Sequence, residues 1–461
     1  MNVKKIKLDA IKWDPSIYPR EKWNTSTIER YADAIESGSE FPPIILEADT
    51  NLLLDGKHRL EAHKKVGASE INAEWRKVPA GMSARYFAAS LSAQHGDRLS
   101  NGDLKKIAEA EFEDNPRLDP TSWGKGLGIS KSTVYRWVSH LVERDKLSRA
   151  NKAWRLSKLG WTQEEIGELL GVDQRTISID TKNSHLGKIG KDLGDHWNEK
   201  GLAETAQRLN LSLTDCFAAA IENMDDRQRL DRLDIKLQPY DVWQFPSCHD
   251  LMGDQHPGRI PGQLIAQVLY FFTEPGAQVI DPMVGSGTTL DACLLMGRKC
   301  YGFDIDERHD RPDVIKHNIS LDGWHDRVKK ADLIFWDPPY FEKMDSSNIG
   351  ADGYIEGSIS KLGRDEYLAF FAQRLAEAKG MVKKGCKLAF LMSDWDDNTG
   401  EREGIFVWDY ANVIMNAGWK LSRHIQVPLS TQQVHPDIVN KFRDSRRLAR
   451  LERYLLIAEA R

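Results

Sequence analysis

Four consecutive residues, Asp337-Pro338-Pro339-Tyr340, combine an acid, two rigid backbone units and a phenol. A carboxylate and a carbonyl fixed by proline both accept hydrogen bonds. A tyrosine ring can stack on a flat heterocycle. Together these groups suit the gripping of a planar base by its exocyclic amine. The run before them, Ala331-Asp332-Leu333-Ile334-Phe335-Trp336, reads as a buried strand. That places the four groups at the C-terminal lip of a sheet, where open α/β sheets bind ligands. By itself the tetrapeptide fits a strand entering a proline turn equally well.

The elements needed to supply such a site lie upstream. Val279-Ile280-Asp281-Pro282-Met283-Val284-Gly285-Ser286-Gly287-Thr288-Thr289 is a short apolar strand, a small-residue turn and the start of a helix over 290–296. Its glycines let backbone approach a ligand closely. No Lys follows the second glycine, so this is not a phosphate loop. A third glycine is missing, so it is not the dinucleotide fingerprint. The next strand, 299–306, ends in Asp304 and Asp306, and an acid at the tip of a second strand binds ribose hydroxyls. Asn318 stands at the end of the third strand. Before the loop, His256-Pro257-Gly258-Arg259-Ile260-Pro261 leads into an apolar helix over 263–272.

In this order and spacing, 256–261, 279–289 and 337–340 resemble motifs X, I and IV of the amino-methyltransferases, which methylate N6 of adenine or N4 of cytosine. The resemblance implies a C-terminal Rossmann-like class I methyltransferase domain. It also implies S-adenosyl-L-methionine as cofactor, held by Pro261, Asp281, Pro282, Gly285, Ser286, Gly287, Thr288, Asp304 and Asn318. Asp337, Pro338, Pro339 and Tyr340 would be catalytic. Family members usually carry Phe where this chain has Met283, and Met fills the same apolar space. Asp in the first position of the tetrapeptide favours N6 of adenine and leaves N4 of cytosine open. No metal is required. An inactive transferase half fused to a DNA-binding regulator is disfavoured by the intact Asp337, Gly285 and Gly287.

The N-terminal half carries different signals. Residues 43–46 and 51–54 read as paired strands around Ala48-Asp49-Thr50, followed by Asp55-Gly56-Lys57-His58-Arg59 opening a helix. Glycine and basic residues at a helix N-terminus make an anion site. The segment resembles the ParB/sulfiredoxin-like domain, which implies nucleotide contact through Gly56, His58 and Arg59. Sulfiredoxin chemistry needs a Cys where this chain has Lys57, so a reductase is rejected. Dimerisation or DNA docking is the alternative use of this fold, and a homodimer stays open.

A helical stretch follows. Residues 157–178 read as a helix-turn-helix: Thr162 and Glu165 form a capping box, Gly171 makes the turn, and Ile166, Leu170, Val172 and Ile177 form the core. Gln174, Arg175 and Ser178 then face out, where base edges would be read. An earlier copy at 127–137 turns Lys131, Ser132 and Arg136 outward, and a weaker echo runs over 202–212. Residues 121–200 hold 14 Lys/Arg against 10 Asp/Glu in a chain whose formal net charge is −5, so double-stranded DNA must be met by local patches.

The short chain after Tyr340 leaves no room for an independent target-recognition domain, so these helices are expected to choose the target. A tail with Arg443, Arg446, Arg447, Arg450 and Arg453 is read as meeting phosphates or as a solvated helix face. Five scattered cysteines, no signal peptide and no spanning apolar run point to a cytosolic protein, and the family resemblance implies a prokaryotic, phage or mobile-element origin. The expected fold is multidomain α/β: a small α+β ParB-like domain over 1–78, an all-α helix-turn-helix region over 98–230, and the methyltransferase domain over 238–461.

Overall fold

The computed structural model describes residues 3–18, 20, 24–94, 99–192, 198–255, 259–306, 311–341, 359–395, 403–428, 436–446 and 452–461. Packing divides the chain into two compact units, Met1–Ser148 and Arg149–Arg461.

In the first unit, β1 (Val3–Lys7), α1 (Thr25–Glu36), β2 (Ile44–Glu47), β3 (Leu53–Asp55), α2 (Lys57–Lys65) and β4 (Glu70–Arg76) form a sheet of order β1-β4-β2-β3 with its helices. The expected hairpin is present, with Leu46 opposite Leu53. Alternation divides its side chains between two faces. Ile44 and Leu46 join Ile6, Leu60 and Ile71 on one face. Ile45 and Leu54 meet Ala88 and Leu91 of α3 (Ala84–Gln94) on the other. Residue 78 is therefore not an edge of packing, because α3 covers the sheet. α4 (Asn101–Asp114), α5 (Pro120–Gly126) and the start of α6 (Lys131–Lys158) add a helical core around Phe112, Trp123, Val134 and Val138.

The second unit begins inside α6. It continues through α7 (Gln163–Leu170), α8 (Gln174–Asn183), α9 (His185–Asp192), α10 (Glu199–Leu209), α11 (Leu213–Ala220) and α12 (Asp226–Arg232). Then come α13 (Gly262–Phe272), β5 (Gln278–Asp281), α14 (Thr288–Leu295), β6 (Lys299–Asp304), β7 (Val314–Lys316), α15 (Ile319–Asp322) and β8 (Leu333–Trp336). α16 (Arg364–Met381), β9 (Lys387–Met392), α17 (Val407–Asn416), β10 (Trp419–Gln426), α18 (Pro436–Asp444) and β11 (Tyr454–Ala460) complete it. The seven-stranded sheet has the order β10-β11-β9-β8-β5-β6-β7. β9, β8, β5, β6 and β7 are parallel, and β11 is antiparallel to both neighbours. The chain moves outward from β5 through β6 and β7, then returns to place β8 on the other side of β5. This reversal makes a crevice at the C-terminal ends of β5 and β8.

One apolar core runs from Ala153 to Ala460. The expected boundary between 230 and 238 is thus not where packing divides the chain, and buried arginines show why. Arg155 of α6 bonds Asp313 at 2.7 and 2.9 Å and also pairs with Asp215 and Asp291. Arg311 pairs with Asp291 and Asp313 at 3.1 Å. Arg298, 1 % exposed, bonds Asp226 of α12 and the carbonyls of Thr273 and Met296. Arg229 donates to the carbonyl of Leu295. Arg327 bridges to Glu165 of α7 at 2.8 Å and lies over the Tyr301 ring. Burial alone would raise the Asp313 carboxyl, but the Arg155 and Arg311 guanidinium groups hold it well below the carboxylate range.

Candidate active site

The crevice receives the tip of β5 and the loop behind it. Asp281 ends β5, is buried, and accepts the Met283 N–H at 3.0 Å. Burial pushes its carboxyl up to about 7; the Thr289 hydroxyl and Met283 N–H pull it down, and the charges of Asp337 and Asp304 raise it. Gly285 has φ +50° and open space where a Cβ would stand. Its N–H donates to Asp304 at the end of β6, 2.9 Å away. Asp304 also accepts the Asp306 N–H at 3.0 Å, so Asp306 supports the acid through its backbone.

Gly287 needs its missing side chain for a different reason. At φ +79°, a Cβ there would lie 2.4 Å from the Arg311 guanidinium carbon. Ser286 and Thr288 are buried and share a 2.9 Å hydroxyl contact. Their side chains therefore stabilise the turn, leaving backbone to face the crevice. Pro261 and Pro282 are buried, and Pro261 immediately precedes α13 as its N-cap. Asn318 follows β7 and caps α15 by accepting the Ser320 N–H at 2.9 Å. His256, Pro257 and Gly258 lie outside the described residues.

Across the crevice, Asp337-Pro338-Pro339-Tyr340 follows β8, as its apolar run requires. Trp336 is buried among Trp324, Phe370, Phe371 and Phe390 in edge-to-face contacts, which fixes the strand end. Tyr367 of α16 donates to the Pro339 carbonyl at 2.8 Å. The Tyr340 hydroxyl donates to Asp337 Oδ1 at 2.9 Å. Although Asp337 retains some access to the cleft, burial pushes its carboxyl up to about 6, against the charge of Arg453 and the Tyr340 hydroxyl, which lower it.

Arg453 is the residue that sequence reasoning misplaced. It does not belong to a phosphate-facing run: it is 6 % exposed, just before β11. Arg443 and Arg446 are exposed, and Arg447 and Arg450 lie outside the described residues. The signal was available in the pattern, because Arg453 adjoins the apolar strand 454–457.

The helical pairs share one turn geometry. Ile129 N–H bonds the Gly124 carbonyl at 2.8 Å, Val172 N–H that of Gly167 at 3.0 Å, and Leu211 N–H that of Ala206 at 2.9 Å. Gly128, Gly171 and Asn210 occupy the left-handed region, as a helix C-terminal turn demands. A Cβ at Gly124 or Gly167 would lie 2.6 or 2.7 Å from the carbonyl oxygen of Ile129 or Val172. The expected capping box of Thr162 and Glu165 is present. Ile166 and Ile177 are fully buried, with Leu170 and Val172 packed against them. Lys131, Ser132, Arg136, Gln174 and Arg175 are exposed, and Ser178 is half-buried. The third pair differs: Cys216, Phe217, Ala218 and Ala219 of α11 are buried, and α11 packs on α9 and α14.

At the N-terminal box, Gly56 begins α2 at φ +102°. His58 accepts the Asn24 N–H at 3.3 Å. Arg59 turns inward to Asp55 at 2.7 Å and to the Pro42 and Pro43 carbonyls at 2.8 Å. Its guanidinium braces the strand–helix turn. Lys57 is buried, pairing with Glu61 at 2.8 Å.

Comparison with known proteins bears on the second unit first. Residues 188–312 match the DNA methylase family model of the N6/N4 type. The match includes the crevice loop and Asp304 and ends before Asp337. The DNA adenine methyltransferase YhdJ of Escherichia coli (strain K12) is 34% identical over 86 residues, 17% of this chain and 29% of that protein. A possible regulatory protein of the streptomycin biosynthesis operon of Streptomyces griseus is 31% identical over 134 residues, 28% of this chain and 38% of that protein. The chain thus spans less than two fifths of these relatives' lengths. Chromosome-partitioning protein ParB of Caulobacter crescentus, solved with CTP-gamma-S, is 13% identical over 40% of this chain and 98% of that chain, with a TM-score of 0.19.

Proposed function

We propose that this chain, which carries a DNA methylase-family segment over residues 188–312, transfers a methyl group from S-adenosyl-L-methionine to the exocyclic amine of a base flipped out of DNA, with N6 of adenine favoured. The observation that carries the reading is the crevice itself. An open-faced glycine loop with an acid at the next strand tip stands across β5 and β8 from a carboxylate and a proline carbonyl. Two features support the cofactor reading: Gly285 has open space where a Cβ would stand, and Asp304 ends the next strand, where it would meet ribose hydroxyls. Pro261, Asp281, Pro282, Ser286, Gly287, Thr288 and Asn318 complete its surroundings. When bound, the cofactor supplies an electrophilic methyl on a sulfonium.

Asp337 and the Pro338 carbonyl accept the amine's two N–H bonds and localise its lone pair. Asp337 then stabilises the positive charge developing on nitrogen. Holding the two reactants in contact supplies much of the remaining acceleration. Tyr340 offers its ring to replace stacking lost on flipping. The exposed faces of α6 and α8, through Lys131, Ser132, Arg136, Gln174, Arg175 and Ser178, read target DNA as helix-turn-helix surfaces.

The test is transfer of labelled methyl to duplex DNA and to RNA, followed by nucleoside analysis. N6-methyladenine in DNA is expected, and N4-methylcytosine would select the alternative base. Asp337→Ala should lower kcat by about 10²–10³ without changing cofactor affinity. Full activity in that variant would reject the mechanism.

A further inference from the structure

The chain that leaves β8 is stiff by composition. Proline fixes its own φ and holds the residue before it extended. Asp337 precedes Pro338, and Pro338 precedes Pro339, so the torsions from Asp337 to the φ of Pro339 are narrowly set. Neither proline has an N–H to bond, and the ladder between β8 and β9 ends with Trp336 beside Phe390. The first soft torsion beyond the strand is therefore the ψ of Pro339. It decides where the Pro339 carbonyl points and, with it, where Tyr340 goes.

One side chain holds that torsion. Tyr367 of α16 is fully buried and donates its hydroxyl to the Pro339 carbonyl at 2.8 Å. Its ring meets the buried Phe341 with centroids 5.3 Å apart. Tyr367 thus grips the residues on both sides of Tyr340. Phe371, on the next turn of α16, and Tyr410 of α17 wedge the ring at 4.9 and 6.5 Å, so the hydroxyl cannot follow a moving carbonyl. The Tyr340 hydroxyl, so placed, donates to Asp337 Oδ1 at 2.9 Å. The grip separates the two proline carbonyls. Among the described residues a donor reaches that of Pro339 and none reaches that of Pro338.

We propose that Tyr367 is a positioning residue for the transfer. By fixing the ψ of Pro339, its hydroxyl aims the Tyr340 ring and, through the Tyr340 hydroxyl, the Asp337 carboxylate. By occupying the Pro339 carbonyl, it leaves that of Pro338 as the acceptor for the amine. The inference rests on the transfer reading above.

The experiment compares DNA methylation kinetics of the full chain in wild type, Tyr367→Phe, Tyr340→Phe and the double variant, with S-adenosyl-L-methionine binding measured alongside. Tyr367→Phe keeps the ring and removes one oxygen. Its kcat should fall by about 10–100-fold. KM for DNA and cofactor affinity should stay unchanged, because alignment is lost and binding is not. The double variant should lose less than the product of the two single losses. Losses that multiply would mean that the two hydroxyls act independently and would overturn the proposal. Wild-type kcat in Tyr367→Phe would also overturn it. A variant that unfolds, or that loses cofactor binding along with activity, would show a hydroxyl that only stabilises the fold, and that too would overturn it.

A second measurement reads the grip without activity. The chain has two Pro–Tyr pairs, at 239–240 and 339–340, so carbon-13 carbonyl proline with nitrogen-15 tyrosine gives one signal for each. The Pro339 signal should move upfield in Tyr367→Phe as its hydrogen bond is lost, while the Pro239 signal stays. A Pro339 signal that stays would overturn the grip whatever the activity. One that moves in a protein forming no methylated base would reject methyl transfer and leave the grip standing.

Discussion

Replacing Arg155 with Met should unfold the sheet of the second unit early, although Arg155 lies on a helix outside the crevice. The guanidinium meets Asp215, Asp291 and Asp313. Arg311 still serves Asp291 and Asp313 after its loss, whereas Asp215 has no second salt bridge among the described residues. Removing one side of a buried ion pair costs about 3–5 kcal/mol. Unfolding entropy of about 2.1 cal/mol/K per residue gives roughly 0.7 kcal/mol/K for a unit of roughly 310 residues, hence a Tm drop of about 5–8 °C. Near-UV circular dichroism would follow aromatic packing around Trp336, and cofactor retention would follow the loop. The deficit relative to wild type should shrink in acid. Asp313, held below its ordinary value, contributes stability that is present above that value and lost as pH falls through the folded one. With one guanidinium gone the depression is smaller, so less of this stability is there to lose on acidification. A melt of the sheet and its aromatic core unchanged within about 1 °C would refute the reasoning, because it would mean that residues 149–235 fold apart from the seven-stranded sheet.

Two further outcomes follow from other parts of the fold. Gly124→Ala and Gly167→Ala should each cost about 1–3 kcal/mol by denaturant unfolding, because the added methyl meets a backbone carbonyl oxygen that cannot swing away; neutral variants would show that the turns relax. Arg136→Ala and Arg175→Ala should each reduce the slope of log affinity against log salt by about 0.9 if the side chain meets phosphate. If it reads a base edge, preference at one position should relax instead. An unchanged slope and preference would remove that side chain from the DNA surface.

Local pattern carried much of this structure in the sequence. The apolar run 331–336 and the small-residue loop at 284–288 placed β8 and the turn after β5, and the Thr162–Glu165 box marked the start of α7. These are short-range signals: alternation, capping and turn chemistry. What was hidden depends on distant partners. The arginines 155, 298 and 311 look like ordinary surface charges until residues up to 158 positions away fold onto them. The burial of Arg453 was hidden for the same reason, because a basic residue announces its charge but not the surroundings it folds into. The packing that joins 149–235 to the sheet was hidden likewise: helices with polar faces read as a free-standing module until their apolar faces are seen to join the core of the sheet.

The three matching turns bear on how many DNA-reading surfaces one chain can offer. A scan for this turn would count three. In the third copy the second helix turns Cys216, Phe217, Ala218 and Ala219 inward, with Phe217 at the position that Ser178 holds in the second copy. Turn geometry therefore records only how two helices are joined. The number of DNA contacts a chain can make is limited by how many of those second helices still have an outside.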